Sequence, residues 1–160
     1  DRAYLAVLDR LEWNVVEQPK LVEIGRREFG DDLGFFTDAA ECVAQRSIDL
    51  ILISSVLQYL PTPHRTLHEL LGLGVRHVVL DRTAFWSGEA RDRLTVQKSD
   101  FGDIRTSYPA WFFHEPVLLA VFAEMGYRQI VEFEGLDRVG FRTSRHKGFY
   151  FVREGESQDG

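Results

Sequence analysis

The chain has 160 residues, 44% hydrophobic and 28% charged, a balance that fits one soluble globular domain with a sizeable core rather than two domains. Its net charge of −6, with no basic stripe, argues against nucleic acid or an anionic membrane as partner, because phosphate binding concentrates Lys and Arg. The lone Cys42 excludes an internal disulfide and a Cys-rich zinc site; it fits a reducing compartment and reads as a small packed hydrophobe. No apolar run approaches the roughly 20 residues that span a bilayer, and Asp1 to Tyr4 do not resemble a secretion signal, so the expected location is cytoplasmic, with no membrane partner. The chain starts on Asp1 rather than Met, and Asp1 reads as an internal residue of a longer product.

Tyr4, Leu5, Leu8 and Leu11 recur at helical spacing and predict an amphipathic helix over the first dozen residues. Trp13 to Glu17 reads as a short buried strand ending in an acid. Pro19 suits the first turn of a helix carrying Leu21, Ile24 and Phe29 and stopped by Gly30. A second strand is expected over Leu33 to Thr37, after which Asp38 caps a helix from Ala39 to Gln45. Asp49 to Ser54 is a continuous apolar run, as a parallel sheet covered on both faces requires. Pro63 opens a helix with Leu67, Leu70 and Leu71, ended by Gly72-Leu73-Gly74, and His77 to Asp81 is the next strand. Strands alternating with helices at these intervals specify βαβ units and an α/β fold.

From Arg82 to Phe113 neither period is sustained, and the stretch reads as an irregular lid or binding segment rich in aromatics. Glu115 to Glu124 is again helical. Tyr127 to Glu134 and Lys147 to Val152 then read as strands of an antiparallel hairpin, joined by a polar segment. The domain is expected to end near Arg153, with Glu154 to Gly160 as a disordered tail.

The words Trp13-Asn-Val-Val-Glu17-Gln18-Pro19, Ser54-Ser55-Val-Leu-Gln58-Tyr59-Leu60, Asp81-Arg82-Thr83 and Ser107-Tyr108-Pro109-Ala-Trp111 stand in this order along the chain. Together with the element order they resemble the class I S-adenosylmethionine-dependent methyltransferases, and among these a bacterial family of unassigned substrate. The resemblance spans Tyr4 to Val152. It implies a Rossmann-like sheet, mostly parallel, closed by a C-terminal antiparallel hairpin and entered here at its first helix. The first strand and its glycine-rich loop are therefore lacking in this chain. Their absence predicts residues upstream of Asp1, a rearranged pairing, or a strand supplied by another copy in a homo-oligomer, since unpaired central strands leave buried backbone groups unsatisfied.

The implied cofactor is S-adenosylmethionine, and the implied substrate a small molecule or glycan precursor methylated on oxygen or nitrogen. A carboxylate ending the strand after the glycine loop suits a ribose diol, which places Glu17, with Gln18 beside it, on the cofactor. Thr37 and Asp38 take the adenine side, with the helix cap as the plain alternative for Asp38. Ser54 and Ser55 end the central strand where open sheets gather ligands, and Gln58 follows on the methionine side. Tyr59, Asp81, Arg82, Tyr108 and Trp111 are expected to face the substrate, an Asp81–Arg82 ion pair being the structural alternative. No catalytic base is assigned.

Other signals carry less. His64 and His68 share a helix face, but Arg65 stands where a zinc-protease glutamate would be, and no metal is expected. Gly72-Leu73-Gly74 follows a helix and precedes a strand, the reverse of a phosphate-binding turn. No nucleophile elbow is present. The competing readings are a non-catalytic binding or assembly domain that has lost the cofactor loop and, further off, an oxidoreductase on a Rossmann-like sheet; fold alone does not separate these chemistries.

Overall fold

A computed structural model describes residues 8–30, 33–102, 104–135 and 144–155. The chain forms two compact units, Asp1–Ser47 and Ile48–Gly160. In the first, β1 (Asn14–Val16) lies parallel to β2 (Gly34–Phe36), with Val15 opposite Phe35. Between them runs α1 (Pro19–Phe29), opened by a proline where no backbone N–H is needed. A side chain on Gly25 would start 2.3 Å from the Phe35 ring, so glycine lets α1 close on β2. The Asp38 carboxylate then accepts from the Glu41 N–H at 2.9 Å and caps α2 (Ala39–Gln45). Cys42 is buried on α2, and burial pushes its thiol pKa up, so it behaves as a small hydrophobe.

The second unit is built on a four-stranded sheet of order β3-β4-β8-β7, from β3 (Leu50–Ser54), β4 (His77–Trp86), β7 (Tyr127–Glu134) and β8 (Ser144–Arg153). β3 and β4 are parallel; β8 runs antiparallel to both β4 and β7. Among the described residues β1 pairs with β2 alone and β3 with β4 alone. Helices α3 (Pro63–Gly72) and α4 (Glu115–Glu124) supply the apolar side chains that cover one face of this sheet. Val78 and Leu80 of β4 alternate with Phe149 and Phe151 of β8 beneath Leu67, Leu71, Leu118 and Phe122, all almost fully buried. Phe122 stacks on Phe151 with ring centroids 3.7 Å apart. No described helix is long and apolar enough to cross a membrane.

Two expectations are corrected. The segment Arg82 to Phe113 is not irregular: β4 continues to Trp86, and β5 (Arg93–Phe101) and β6 (Ile104–Phe112) form a separate antiparallel ribbon. Its pairing is cross-strand, and neither strand has one wholly buried face, so no period of two marks it in the sequence. The expected N-terminal helix has no counterpart over residues 8–13, which carry no regular structure and leave Leu8 and Leu11 exposed; Tyr4 and Leu5 lie outside the described residues. A short helix without a packing partner for its apolar stripe is marginal in water. Most of the polar connection between β7 and β8, and residues 156–160 of the expected tail, also lie outside the described residues.

Two polar groups, one buried and one half-buried, tie opposite ends of this sheet to its surroundings. The Tyr127 hydroxyl donates to the Val75 carbonyl at 2.6 Å, with the Leu71 carbonyl at 3.3 Å, and burial raises its pKa. Burial works against the Lys147 charge, but its hydrogen bonds to Glu115 at 2.7 Å and Glu132 at 2.6 Å outweigh this and raise its pKa. Both shifts are upward, so the stability they contribute is complete below the unfolded-state values and is lost as pH rises through the folded ones. Urea unfolding between pH 8 and 11 should therefore show a midpoint that falls above about pH 10. Tyr127→Phe should cost about 1–3 kcal/mol at neutral pH by leaving the Val75 carbonyl unpaired, and should flatten that fall.

Candidate functional site

The parallel pairing of β3 with β4 ends at Ser54 opposite Asp81, where β3 stops and β4 runs on. The Ser54 hydroxyl donates to the Asp81 carboxylate at 3.0 Å, the Arg82 N–H donates to the same carboxylate at 2.8 Å, and the Arg82 guanidinium reaches Ser54 Oγ at 3.2 Å. One residue on, Ser55 and Arg82 both adopt left-handed backbone, with φ of 55° and 46°; no other described non-glycine residue has positive φ. Such conformations cost about 1–3 kcal/mol each and cluster where ligands bind. The Ser55 N–H donates to the Asp81 carbonyl at 3.0 Å, and the register of β4 against β8 shifts between Leu80 and Thr83, so Arg82 sits in a bulge.

A 3₁₀ turn over Leu57–Tyr59 packs behind these ends. Gln58 is 1% exposed, and its amide nitrogen donates to Ser55 Oγ at 3.2 Å and to the Arg82 carbonyl at 3.0 Å, while Oε1 has no partner. Tyr59 points the other way, 42% exposed, and meets Tyr108 of β6 edge to face at 5.6 Å. Trp111, also on β6, donates from Nε1 to the Leu60 carbonyl at 3.2 Å. Ser54, Ser55, Gln58, Tyr59, Asp81, Arg82, Tyr108 and Trp111, spread over 58 residues of sequence, thus gather around one turn and two strand ends.

In the first unit Glu17 and Gln18 follow β1, and Thr37 and Asp38 follow its parallel neighbour β2; the Glu17 N–H donates to the Phe36 carbonyl at 3.0 Å. All four residues are exposed. One carboxylate oxygen of Glu17 accepts from the Gln18 N–H at 2.9 Å, which orients the group and leaves the other oxygen without a described partner. Asp38 is the helix cap described above.

The second unit carries further polar features. His64 pairs with Asp92, whose second oxygen accepts from the His114 N–H at 2.8 Å and so caps α4 from the loop before β5. A cleft of about 610 Å³ beside α3 and α4 is lined by His64, His68, His114, Val117 and Glu124, none of them at the strand ends. Among the described residues no group of three or more His, Cys, Asp or Glu side chains is placed to hold a metal ion. Asp92 was not legible as a cap, since it stands 22 residues before the helix it serves. The strain at Ser55 and Arg82 left no signal either, because neither position is a glycine.

The sequence matches no family model and no curated protein. Solved structures do match. A glycopeptide N-methyltransferase, MtfA, complexed with S-adenosyl-L-methionine aligns over 89% of this chain and 72% of its own, with a TM-score of 0.62 at 11% identity. This chain shares the fold of that structure. A second such methyltransferase fold, from Clostridium acetobutylicum ATCC 824, aligns over 89% of this chain and 74% of its own, with a TM-score of 0.53 at 11% identity. The MtfA complex with sinefungin aligns with a TM-score of 0.61 at 12% identity, over 89% and 71% of the two chains. The shared fold is Rossmann-like, with parallel strand pairs early in this chain and the antiparallel pair β7–β8 at its end.

Within it, the Asp81 carboxylate accepts from both Ser54 and Arg82 while remaining 30% exposed. Asp81→Asn should lower stability by about 1 kcal/mol, a value discounted for solvent screening, when urea unfolding is compared with wild type at pH 7. A change below about 0.3 kcal/mol would mean the carboxylate does not organise the strand ends.

Proposed function

We propose that this protein binds S-adenosylmethionine and transfers its methyl group to an oxygen or nitrogen of a small molecule or glycan precursor. The observation that carries the reading is the pair of adjoining left-handed residues, Ser55 just past the carboxyl end of β3 and Arg82 in the bulge of β4 where its parallel pairing with β3 stops, held by side-chain hydrogen bonds. Open α/β sheets bind ligands at that end. The fold match to methyltransferases solved with S-adenosyl-L-methionine and sinefungin supports the same chemistry.

The residues fit the cofactor in kind. An oriented carboxylate with one uncommitted oxygen, as at Glu17, suits a diol that brings two O–H donors. Gln18 adjoins it, and Thr37 and Asp38 take the adenine side. The backbone of the Ser54–Ser55 turn, with Gln58 behind it, takes the methionine side. When bound, the cofactor supplies a sulfonium-activated methyl group: the acceptor lone pair forms the new bond to carbon as the carbon–sulfur bond breaks, and the acceptor gives up its proton. The protein has to align the acceptor and exclude water. Tyr59, Tyr108 and Trp111 offer aromatic surface for the first task, and Asp81 and Arg82 offer hydrogen bonds to a polar acceptor.

Calorimetric titration of the full-length protein with S-adenosylhomocysteine should show saturable binding. Glu17→Ala should weaken it about tenfold, the worth of one hydrogen bond to a charged group. Tyr108→Ala should leave that affinity within about twofold and lower methyl transfer to an acceptor. Absence of binding by the wild-type protein would overturn the proposal.

A further inference from the structure

We infer that Gln58 is a positioning residue, a buried clip that holds Ser55 and Arg82 in their left-handed conformations and so shapes the turn that receives the cofactor; its place in catalysis rests on the function proposed above. The Gln58 side chain is 1% exposed, and both donor bonds of its amide are spent on the two strained residues, one on Ser55 Oγ and one on the Arg82 carbonyl. It is therefore no direct ligand contact. Ser55 follows β3 and Arg82 lies in β4, 27 residues apart, and the Gln58 side chain bonds to both.

The arrangement is costly in two ways. Left-handed backbone at a residue with a Cβ persists only where surrounding bonds over-determine it. In addition, Gln58 Oε1 is buried without a partner, one of two such side-chain atoms among the described residues. A buried amide with one half satisfied is a poor stabilising element, and a leucine or methionine of similar volume would fill the same space with nothing left unpaired. The amide makes physical sense for what its nitrogen does: it ties the Ser55 hydroxyl to the Arg82 carbonyl and so links two residues that would otherwise relax to ordinary φ values. The backbone bond from the Ser55 N–H to the Asp81 carbonyl belongs to the same junction and reports on its integrity.

Two measurements test this, one with ligand and one without. By calorimetry, Gln58→Ala should weaken S-adenosylhomocysteine about tenfold. Adding Ser55→Gly, which reaches left-handed backbone without strain, should recover a large part of that loss. Ser55→Gly in the wild-type background, where Gln58 still holds the turn, should give no comparable gain in affinity. Equal effects of Ser55→Gly in the two backgrounds would overturn the inference, since a residue that only fills core space is not rescued by a backbone change next door.

Without ligand, amide hydrogen exchange followed by NMR should speed up at Ser55 in Gln58→Ala by about tenfold more than at Leu80 in the middle of β4. Equal acceleration at both amides would mean general destabilisation and would also overturn the inference. If the alanine variant does not fold, Gln58→Met keeps the volume, removes the donor and is read by the same two measurements. Failure of the wild-type protein to bind S-adenosylhomocysteine defeats the proposed function alone, because the exchange experiment judges the clip independently.

Discussion

The register in which β3 lies along β4 governs the chemistry-bearing end of the molecule. Leu50 to Ser54 run opposite His77 to Asp81 without a slip, so the last residue of β3 faces Asp81. A parallel ladder shifted by two residues would keep the same faces buried but would move Ser54 away from Asp81 by about 7 Å. The hydroxyl-to-carboxylate bond, the bond from the Ser55 N–H to Asp81 and the reach of Gln58 to both turns would all be lost together. What holds the register is the core face: Ile53 beside Val78 and Leu80, under Leu57, Leu67 and Leu71.

The same core explains why β4 can hold a strained residue in its middle. Its neighbours on the buried side are large and interlocked: Phe85 meets Phe149 edge to face at 5.6 Å and Phe113 at 6.5 Å, and Phe149 lies 6.0 Å from Phe151. Past the bulge at Arg82, β4 resumes pairing with β8 from Thr83, and the Phe113 backbone bonds to both Ala84 and Trp86. The strand is thus anchored on both sides of its irregularity, which satisfies the physical requirement for storing an unfavourable conformation at one residue. The β5–β6 ribbon is attached through the same segment, and this brings Tyr108 and Trp111 back to the turn that carries Tyr59.

Much of the fold was legible in the chain. Helices α2 and α4 and strand β7 fall on their expected bounds, the helices because a capping aspartate opens α2 and a proline followed by an apolar run opens α4. The strand–helix alternation, the acid ending the first strand and the Ser54-Ser55 and Asp81-Arg82 words depend only on short stretches of sequence, and these give the α/β class and the carboxyl-end location of the candidate residues. The ribbon, the bulge and the left-handed turns were not legible. A ribbon strand paired only with its neighbour and exposed on much of both faces has no binary pattern, and positive φ at Ser55 and Arg82 is imposed by bonds from Gln58 and Asp81 rather than by residue type.

Local chemistry therefore determined which residues are equipped to meet a ligand, since a carboxylate, a hydroxyl or an aromatic ring carries its capacity wherever the chain places it. Tertiary structure alone decided how they are used. It turned Gln58 inward while Tyr59, one residue on, remained at the surface. It made Asp81 a shared acceptor for two neighbours, and it recruited Asp92 to cap a helix 22 residues away. Those assignments depend on distances between segments remote in sequence, and such distances exist only once the register of the sheet and the packing of its aromatic core have been settled.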